Sequence, residues 1–314
     1  MNSTALQYSA AERYAESFAK KFTIVFLGIV INCINGVFVF TFFKSSTFYN
    51  DPRYILYIHL VINDMLMVFI TVALFVMAFA WQNVPVPFCI LLLIIGSATH
   101  KNTPLTLAGM AIERYIAICK PLHHAQICTL RRTYILISLI WGVGVMPALA
   151  DLIVFLIFRS SSILTSGFCS TANLYNTPYH ELQSKVTSGL YTSAVWLILV
   201  FTYFKVLVTA RRANTDKSSA KKAQSTILLH GIQLLISMLS YITPVIDRMY
   251  SDVTPVVLSK VLFFNYLLTN LLPRLLSPLI YGVRDQHFLK SIKGMILCRF
   301  VSVKVEPKGN KLKK

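Results

Sequence analysis

Asp64, His100, Lys101 and Arg274 stand well inside stretches that are mostly apolar. A charge at that position costs about 2.5–3.5 kcal/mol on membrane-insertion scales, so such groups pair with one another or mark a site. Asp64 and Arg274 have opposite signs and predict an intramembrane pair, the alternative being that Arg274 reaches some other polar group. Lys101, next to His100, has no carboxylate in its own stretch placed to neutralise it, because Glu113 lies at the far end. Either a ligand supplies an anion or strong acceptor, or Asn102 or a neighbouring carbonyl satisfies the ammonium. A second group, Glu113-Arg114-Tyr115, closes the same stretch. Its permanent guanidinium either snorkels to the interface or meets a partner there. There is no HExxH, GxSxG, P-loop or cysteine–histidine metal spacing, and His123-His124 has no further ligands beside it. The sequence therefore predicts a binding protein without a cofactor, not an enzyme.

The elements that must hold these groups are set by composition. Of 314 residues, 55% are hydrophobic and only 13% charged, against about 25% charged in a soluble domain. The mean hydropathy of +0.63 points the same way. Apolar blocks fall at 22–43, 55–79, 88–119, 134–158, 186–209, 227–250 and 256–281. Crossing a bilayer takes about 20 helical residues, whereas a barrel strand takes about ten. Helices satisfy their own backbone in lipid, so the expectation is an all-α membrane protein, a seven-transmembrane helix bundle. The third block is the least clean, with His100, Lys101, Asn102 and Pro104 in its middle. No repeat or linker divides the chain.

Orientation follows from the basic residues. Of 30 Lys and Arg, 21 fall in one set of loops and the C-terminal tail, and seven in the other set. The richer side is expected to be cytosolic, which puts the N-terminus outside even though Lys20 and Lys21 dissent locally. The net charge of +18 thus reads as a membrane-surface signature, and no nucleic-acid partner is expected. The expected organisation is an extracellular N-terminus (1–21), the seven-helix domain (22–281) and a cytosolic amphipathic helix with a basic tail (282–314). Residues 1–21 lack the apolar core of a cleavable signal, and Asn2-Ser3-Thr4 is a glycosylation sequon on the outer side.

Of six cysteines, Cys33 is inside a span, and Cys119, Cys128 and Cys298 face a reducing compartment where disulfides rarely persist. Cys89 and Cys169 are the pair on the oxidising side, to be bridged or left as two free thiols. Cys298, among Lys290, Lys293 and Arg299, is either a palmitoylation site or an unmodified apolar residue of the amphipathic helix.

Residues 110–122, MAIERYIAICKPL, resemble the string that ends the third helix of odorant receptors, a branch of the rhodopsin-like G-protein-coupled receptors. Arg114 follows Cys89 by 25 residues, the family's separation between its loop-pinning cysteine and this arginine. Pro52-Arg53-Tyr54 with Leu60 and Asp64 is similar to the start of the family's second span. Lys222-Ala223-Gln224-Ser225-Thr226 with His230 resembles its sixth, and 278–284, PLIYGVR, the end of its seventh. The Glu-Arg-Tyr form and Gly282 look more like the fish-type branch than the mammalian one. Ile227, Ser277, Arg274 and the lone Cys169 of the long loop depart from the family pattern.

The resemblance implies a plasma-membrane receptor that binds a small-molecule odorant in the bundle and activates a heterotrimeric G protein of the stimulatory, olfactory type. It implies Glu113, Arg114, Tyr115, Tyr203, Lys222 and Tyr281 as the coupling and switch set. Ser97, His100, Lys101, Tyr191, Tyr241 and Asn270 would lie near the ligand cavity. Rivals are a non-olfactory receptor of this fold and a seven-span transporter, the latter needing broken helices or paired repeats along a pathway.

Overall fold

The computed structural model describes residues 3–81, 83–159, 166–167, 169, 171–175, 177–212, 235–236, 255–284, 288–292 and 294. The expected sixth span, with Lys222 and Tyr241, lies outside these residues, as do Asn2 and Cys298. Helix α1 runs Ser3–Lys44 and is followed by a 3₁₀ turn, Ser46–Asn50. Then come α2 (Pro52–Ala80), strand β1 (Val84–Pro85), α3 (Val86–Cys119), α4 (Pro121–Ile127) and α5 (Leu130–Arg159). Strand β2 (Ser166–Gly167) and the short α6 (Thr171–Leu174) precede α7 (Pro178–Arg212). Finally α8 (Pro255–Tyr266), a π-helical turn (Leu267–Leu271) and α9 (Leu272–Arg284) form one continuous rod.

Among the described residues, four helical stretches, Tyr14–Lys44, Pro52–Met77, Leu130–Phe158 and Pro178–Thr209, are long and apolar enough to cross a bilayer. The distribution of polarity is inverted relative to a soluble protein. Phe22, Phe26, Phe40, Leu139, Ile153, Leu197 and Phe204 face outward, while Asn35, Asn63, Asp64, Thr99, Asn102, Thr103, Thr106, Arg274 and Ser277 are buried. In lipid the apolar surface needs no cover, and polar groups must find partners inside.

Helix α3 packs against α2, α5 and α7, and α1 and α9 pack against α2. Pro52 opens α2 at a position where its missing N–H costs no helical bond, and the Asp51 carboxylate caps the helix by accepting from the Arg53 N–H at 2.9 Å. A histidine ties three helices together. Trp141 Nε1–H of α5 donates to His59 Nε2 of α2 at 2.9 Å. Indole nitrogen only donates, so His59 carries its proton on Nδ1, which faces Thr106 Oγ1 of α3 at 3.2 Å. The Thr106 hydroxyl passes the chain on to the Asn102 carbonyl at 2.7 Å. Helices α3 and α5 approach closely where Gly144 meets the Asn102 amide, and a Cβ at 144 would run into that amide.

Prolines inside helices free the carbonyl four residues before them. Pro147 frees that of Val143, and Tyr191 Oη–H of α7 donates to it at 2.5 Å. Gln183 Nε2 of α7 donates to the Pro147 carbonyl at 2.7 Å. In the last rod, Pro273 can donate nothing to Thr269, and the ladder slips there. The Leu272 N–H bonds the Leu267 carbonyl, five residues back. Such π turns re-aim the side chains that follow, and the next residue after the proline is Arg274.

At the Arg114 end, the segment 288–292 docks on α1 and α2 through Phe288, which is 1% exposed. Its ring centroid lies 5.0 Å from that of Phe48, 5.9 Å from Phe38 and 5.8 Å from Tyr57. This aromatic knot closes that end of the core.

Candidate functional site

Three polar regions lie along α3. The middle one centres on Asp64, which is wholly buried. Thr103 Oγ1–H donates to Asp64 Oδ1 at 2.9 Å, and Asn63 Nδ2 donates to Thr103 Oγ1 at 3.0 Å and to the Thr99 carbonyl at 2.9 Å. Arg274, 2% exposed, brings Nε to 3.8 Å from Asp64 Oδ1 and donates through Nη2 to Met67 Sδ at 3.2 Å. Asp64 Oδ2 and Arg274 Nε and Nη1 make no hydrogen bond. The two charges thus meet at ion-pair distance without a closed fork. Ser277 bonds its own helix at the Pro273 carbonyl, at 2.8 Å. Neighbouring Asn270 donates to Thr269 Oγ1 at 3.0 Å, and Thr269 in turn to the Asn265 carbonyl at 2.8 Å.

At the Arg114 end, Glu113 is 5% exposed. Its Oε1 is 2.9 Å from His124 Nε2, on α4, while Oε2 is 3.9 Å from Arg114 Nε. Arg53 adds a second permanent cation within electrostatic reach. The carboxylate is therefore held more closely by the loop helix than by its sequence neighbour, and the Arg114 side chain keeps 29% of its exposure. Tyr115 packs its ring 5.9 Å from that of Phe201 on α7, and Tyr203 is 40% exposed on the same helix. Tyr281 falls on α9 near its end. Outside the spans, burial works to raise Asp51, but the Arg53 side chain and N–H outweigh it, and the carboxyl sits below its ordinary range.

At the other end, Cys89 and Cys169 are bonded, with Cα atoms 5.6 Å apart. Beside this bridge β1 and β2 pair antiparallel, Val84 with Gly167 and Pro85 with Ser166. The loop is thereby fixed over α3, and Leu174 joins a core with Val84, Cys89, Ile90 and Phe155. About three helical turns further along α3, Lys101 Nζ donates to Ser97 Oγ at 2.7 Å. The acid within electrostatic reach of Lys101 is Asp151 of α5, not a residue of its own helix. His100 is within electrostatic reach of both Arg274 and Lys101.

Asp151 lies near the end of α5. His180 of α7 sets Nε2 3.3 Å from its backbone carbonyl and 3.9 Å from its Oδ1. The Tyr175 ring lies 5.1 Å from that of His180. Burial, with the Asp151 charge nearby, pushes the Tyr175 phenol up to about 12. Of the expected cavity residues, Ser97, His100 and Lys101 are drawn together on α3. Tyr191 has its hydroxyl engaged with the Val143 carbonyl, and Asn270 belongs to the Arg274 side. Among the described residues no group of three His, Cys, Asp or Glu is placed to hold a metal.

Buried polar groups inside an apolar shell, a disulfide over one end and a partly exposed arginine at the other are the parts of a seven-helix membrane receptor. The chain belongs to the rhodopsin family of seven-transmembrane receptors, whose family model, "7 transmembrane receptor (rhodopsin family)", matches residues 34–281. It is 32% identical to odorant receptor 131-2 of Danio rerio over 281 residues, 89% of this chain and 86% of that protein. It is 26% identical to human olfactory receptor 4F5 over 284 residues, covering 87% and 89%, and 25% identical to human olfactory receptor 4K1 over 274 residues, covering 84% and 85%. It is a G-protein-coupled receptor and multi-pass membrane protein, not an enzyme.

Proposed function

We propose that this chain is an odorant receptor of the plasma membrane that takes a small molecule into the bundle beside α3 and passes the signal to a stimulatory G protein through Arg114. The relatives named above are odorant and olfactory receptors, and the excess of basic residues on the Arg114 side supports an N-terminus outside and a C-terminus in the cytosol. With that orientation the disulfide end receives ligand, Asn2 is open to glycosylation, and Cys298 is within reach of cytosolic acylation.

The observation that carries the coupling role is the division of Glu113. Its shorter contact goes to His124 at 2.9 Å and the longer to Arg114 at 3.9 Å, so the guanidinium is guided but not clasped. A contact that weak is replaceable by a partner protein at modest cost. Lys222, Tyr203 and Tyr281 complete the proposed coupling surface with Tyr115. On the ligand side, Lys101 with Ser97 offers an ammonium to an acid or acceptor, and His100, Tyr191, Tyr241 and Asn270 are the further groups of the proposed cavity.

The test is a cyclic-AMP readout in cells expressing the full chain, challenged with acids, amines, amino acids and apolar odorants. Arg114→Ala is expected to abolish the response while surface labelling stays at the wild-type level. A full agonist response from Arg114→Ala would remove the coupling role.

A further inference from the structure

Around Asp151 the structure gathers polar atoms that nothing in the described residues satisfies. Asp151 Oδ1, Tyr175 Oη and Gln183 Oε1 are all buried and make no hydrogen bond. They come from three separate elements: α5, the disulfide-pinned loop and the start of α7. Shared neighbours bring them together. His180 is 3.9 Å from Asp151 Oδ1 and stacks beside Tyr175. Gln183 is tied to the Pro147 carbonyl, one turn from Asp151 on the same helix. Each unsatisfied atom is able to accept, since the Tyr175 oxygen, held neutral, keeps its lone pairs. A buried polar atom without a partner is expensive, about 1–3 kcal/mol on typical mutational scales, and three such atoms on elements that His180 and Pro147 tie together call for a partner. Lys101 is within electrostatic reach of Asp151, with one donor on Ser97 and two N–H groups beyond it.

We propose that this cluster binds a small zwitterion, with its primary ammonium shared among Asp151, Gln183 and Tyr175 and its carboxylate on Lys101. A primary ammonium has three N–H donors and the cluster offers three acceptors; a carboxylate needs a cation, and Lys101 is the one at that depth of α3. An acid or an amine alone leaves one of the two charges without a counterpart in the dry interior. The inference rests on the receptor reading above, because it places the ligand of that receptor.

The probes are norleucine, its deaminated counterpart hexanoic acid, its decarboxylated counterpart pentylamine, and N-trimethylnorleucine, which keeps both charges but has no N–H. Full-length receptor in lipid nanodiscs is scored by ligand-induced shift in thermal unfolding, and cells by cyclic AMP. Norleucine is expected to bind roughly 10- to 100-fold more tightly than either single-charge probe and than its trimethyl form, the ratio given by one charge-assisted hydrogen bond. Asp151→Asn should remove the advantage over hexanoic acid, and Lys101→Met the advantage over pentylamine. Tyr175→Phe, which keeps the ring against His180, should weaken norleucine several-fold without touching hexanoic acid. Equal binding of norleucine and its trimethyl form, or an unchanged ranking in Asp151→Asn and Tyr175→Phe, would overturn the proposal. A thermal shift with norleucine but no cyclic AMP from any probe would keep the site and fault the coupling reading; cyclic AMP from other odorants with no zwitterion preference would do the reverse.

Discussion

At the end of the bundle that carries Cys89, position is fixed by a covalent bond, a two-residue β pair and a buried apolar cluster. At the Arg114 end, the loop helix α4 is held without a covalent bond, by the 2.9 Å contact between His124 and Glu113 and by Arg132 Nη1 donating to the Gln126 and Ile127 carbonyls at 3.1 and 3.3 Å, and the segment 288–292 by ring packing around Phe288. The first end holds several polar groups in a fixed frame while leaving some of them unpaired; the second has more cations than its one buried carboxylate can serve. A frame of the first kind suits recognition, since groups held in place lose little entropy when a ligand arrives. An arrangement of the second kind suits switching, because two states that trade one partner for another differ by little. Between them lies the Asp64–Arg274 pair, which touches α2, α3 and α9 and is where the two ends must communicate.

That middle pair is the place to break the contrast most severely. Both side chains are at 2% exposure or less, and removing one leaves the other charged and alone. The typical cost is about 3–5 kcal/mol. Asp64→Asn and Arg274→Leu are each expected to lower the unfolding temperature of detergent-purified receptor markedly, and the double variant to recover part of the loss. Losses that sum would mean that the 3.8 Å approach carries no coupling.

The covalent frame comes next. Loss of a native disulfide typically costs about 2–5 kcal/mol, so Cys89→Ser and Cys169→Ser should each reduce surface delivery in flow cytometry. The double variant should be no worse than either, because both singles destroy the same bond. If the fixed-frame reading is right, the surviving receptor should lose ligand potency before it loses basal coupling.

Much of this was legible from residue types. The spans follow from apolar blocks, and Asp64 and Arg274 stood out as charges in the wrong solvent. The disulfide needed only the topology that leaves Cys89 and Cys169 on the same side. Other features depended on information that no window of sequence holds. Helix α1 begins at Ser3 rather than at the first apolar residue. Its early turns are built on helix-forming Ala, Glu and Lys, with Glu16 and Lys20 paired at 2.8 Å, a signal that a search for apolarity passes over. The Tyr191 hydroxyl was set near the cavity, but the carbonyl freed by Pro147 holds it instead, a consequence of two helices meeting. Asp151 stands toward the end of its apolar block, where a carboxylate draws less notice than Asp64 does. Tyr175 and His180 look ordinary in sequence and matter only because the disulfide folds their loop back over α5.

The smallest expected effect is the most informative about switching. His124 was read as one of a histidine pair in a loop without further ligands; the structure turns it inward because Pro121 opens α4 and carries residue 124 back beneath Glu113. A hydrogen bond to a charged group is worth about 1.5–3 kcal/mol, and the 26% exposure of His124 puts this one toward the lower figure. Removing the imidazole in His124→Ala leaves Arg114, now at 3.9 Å, as the nearest cation to Glu113. The carboxylate should then turn to it and hold it. Agonist-independent cyclic AMP, normalised to surface receptor, is therefore expected to fall several-fold, with the agonist curve displaced to higher concentration and its maximum kept. Glu113→Gln removes the anion that both cations seek, so its basal signal should rise instead. In the double variant there is no carboxylate left to turn to Arg114, and its basal signal should match that of Glu113→Gln alone. A His124→Ala receptor with raised basal activity would show that α4 restrains the arginine through His124, and the roles assigned to the two contacts would have to be exchanged.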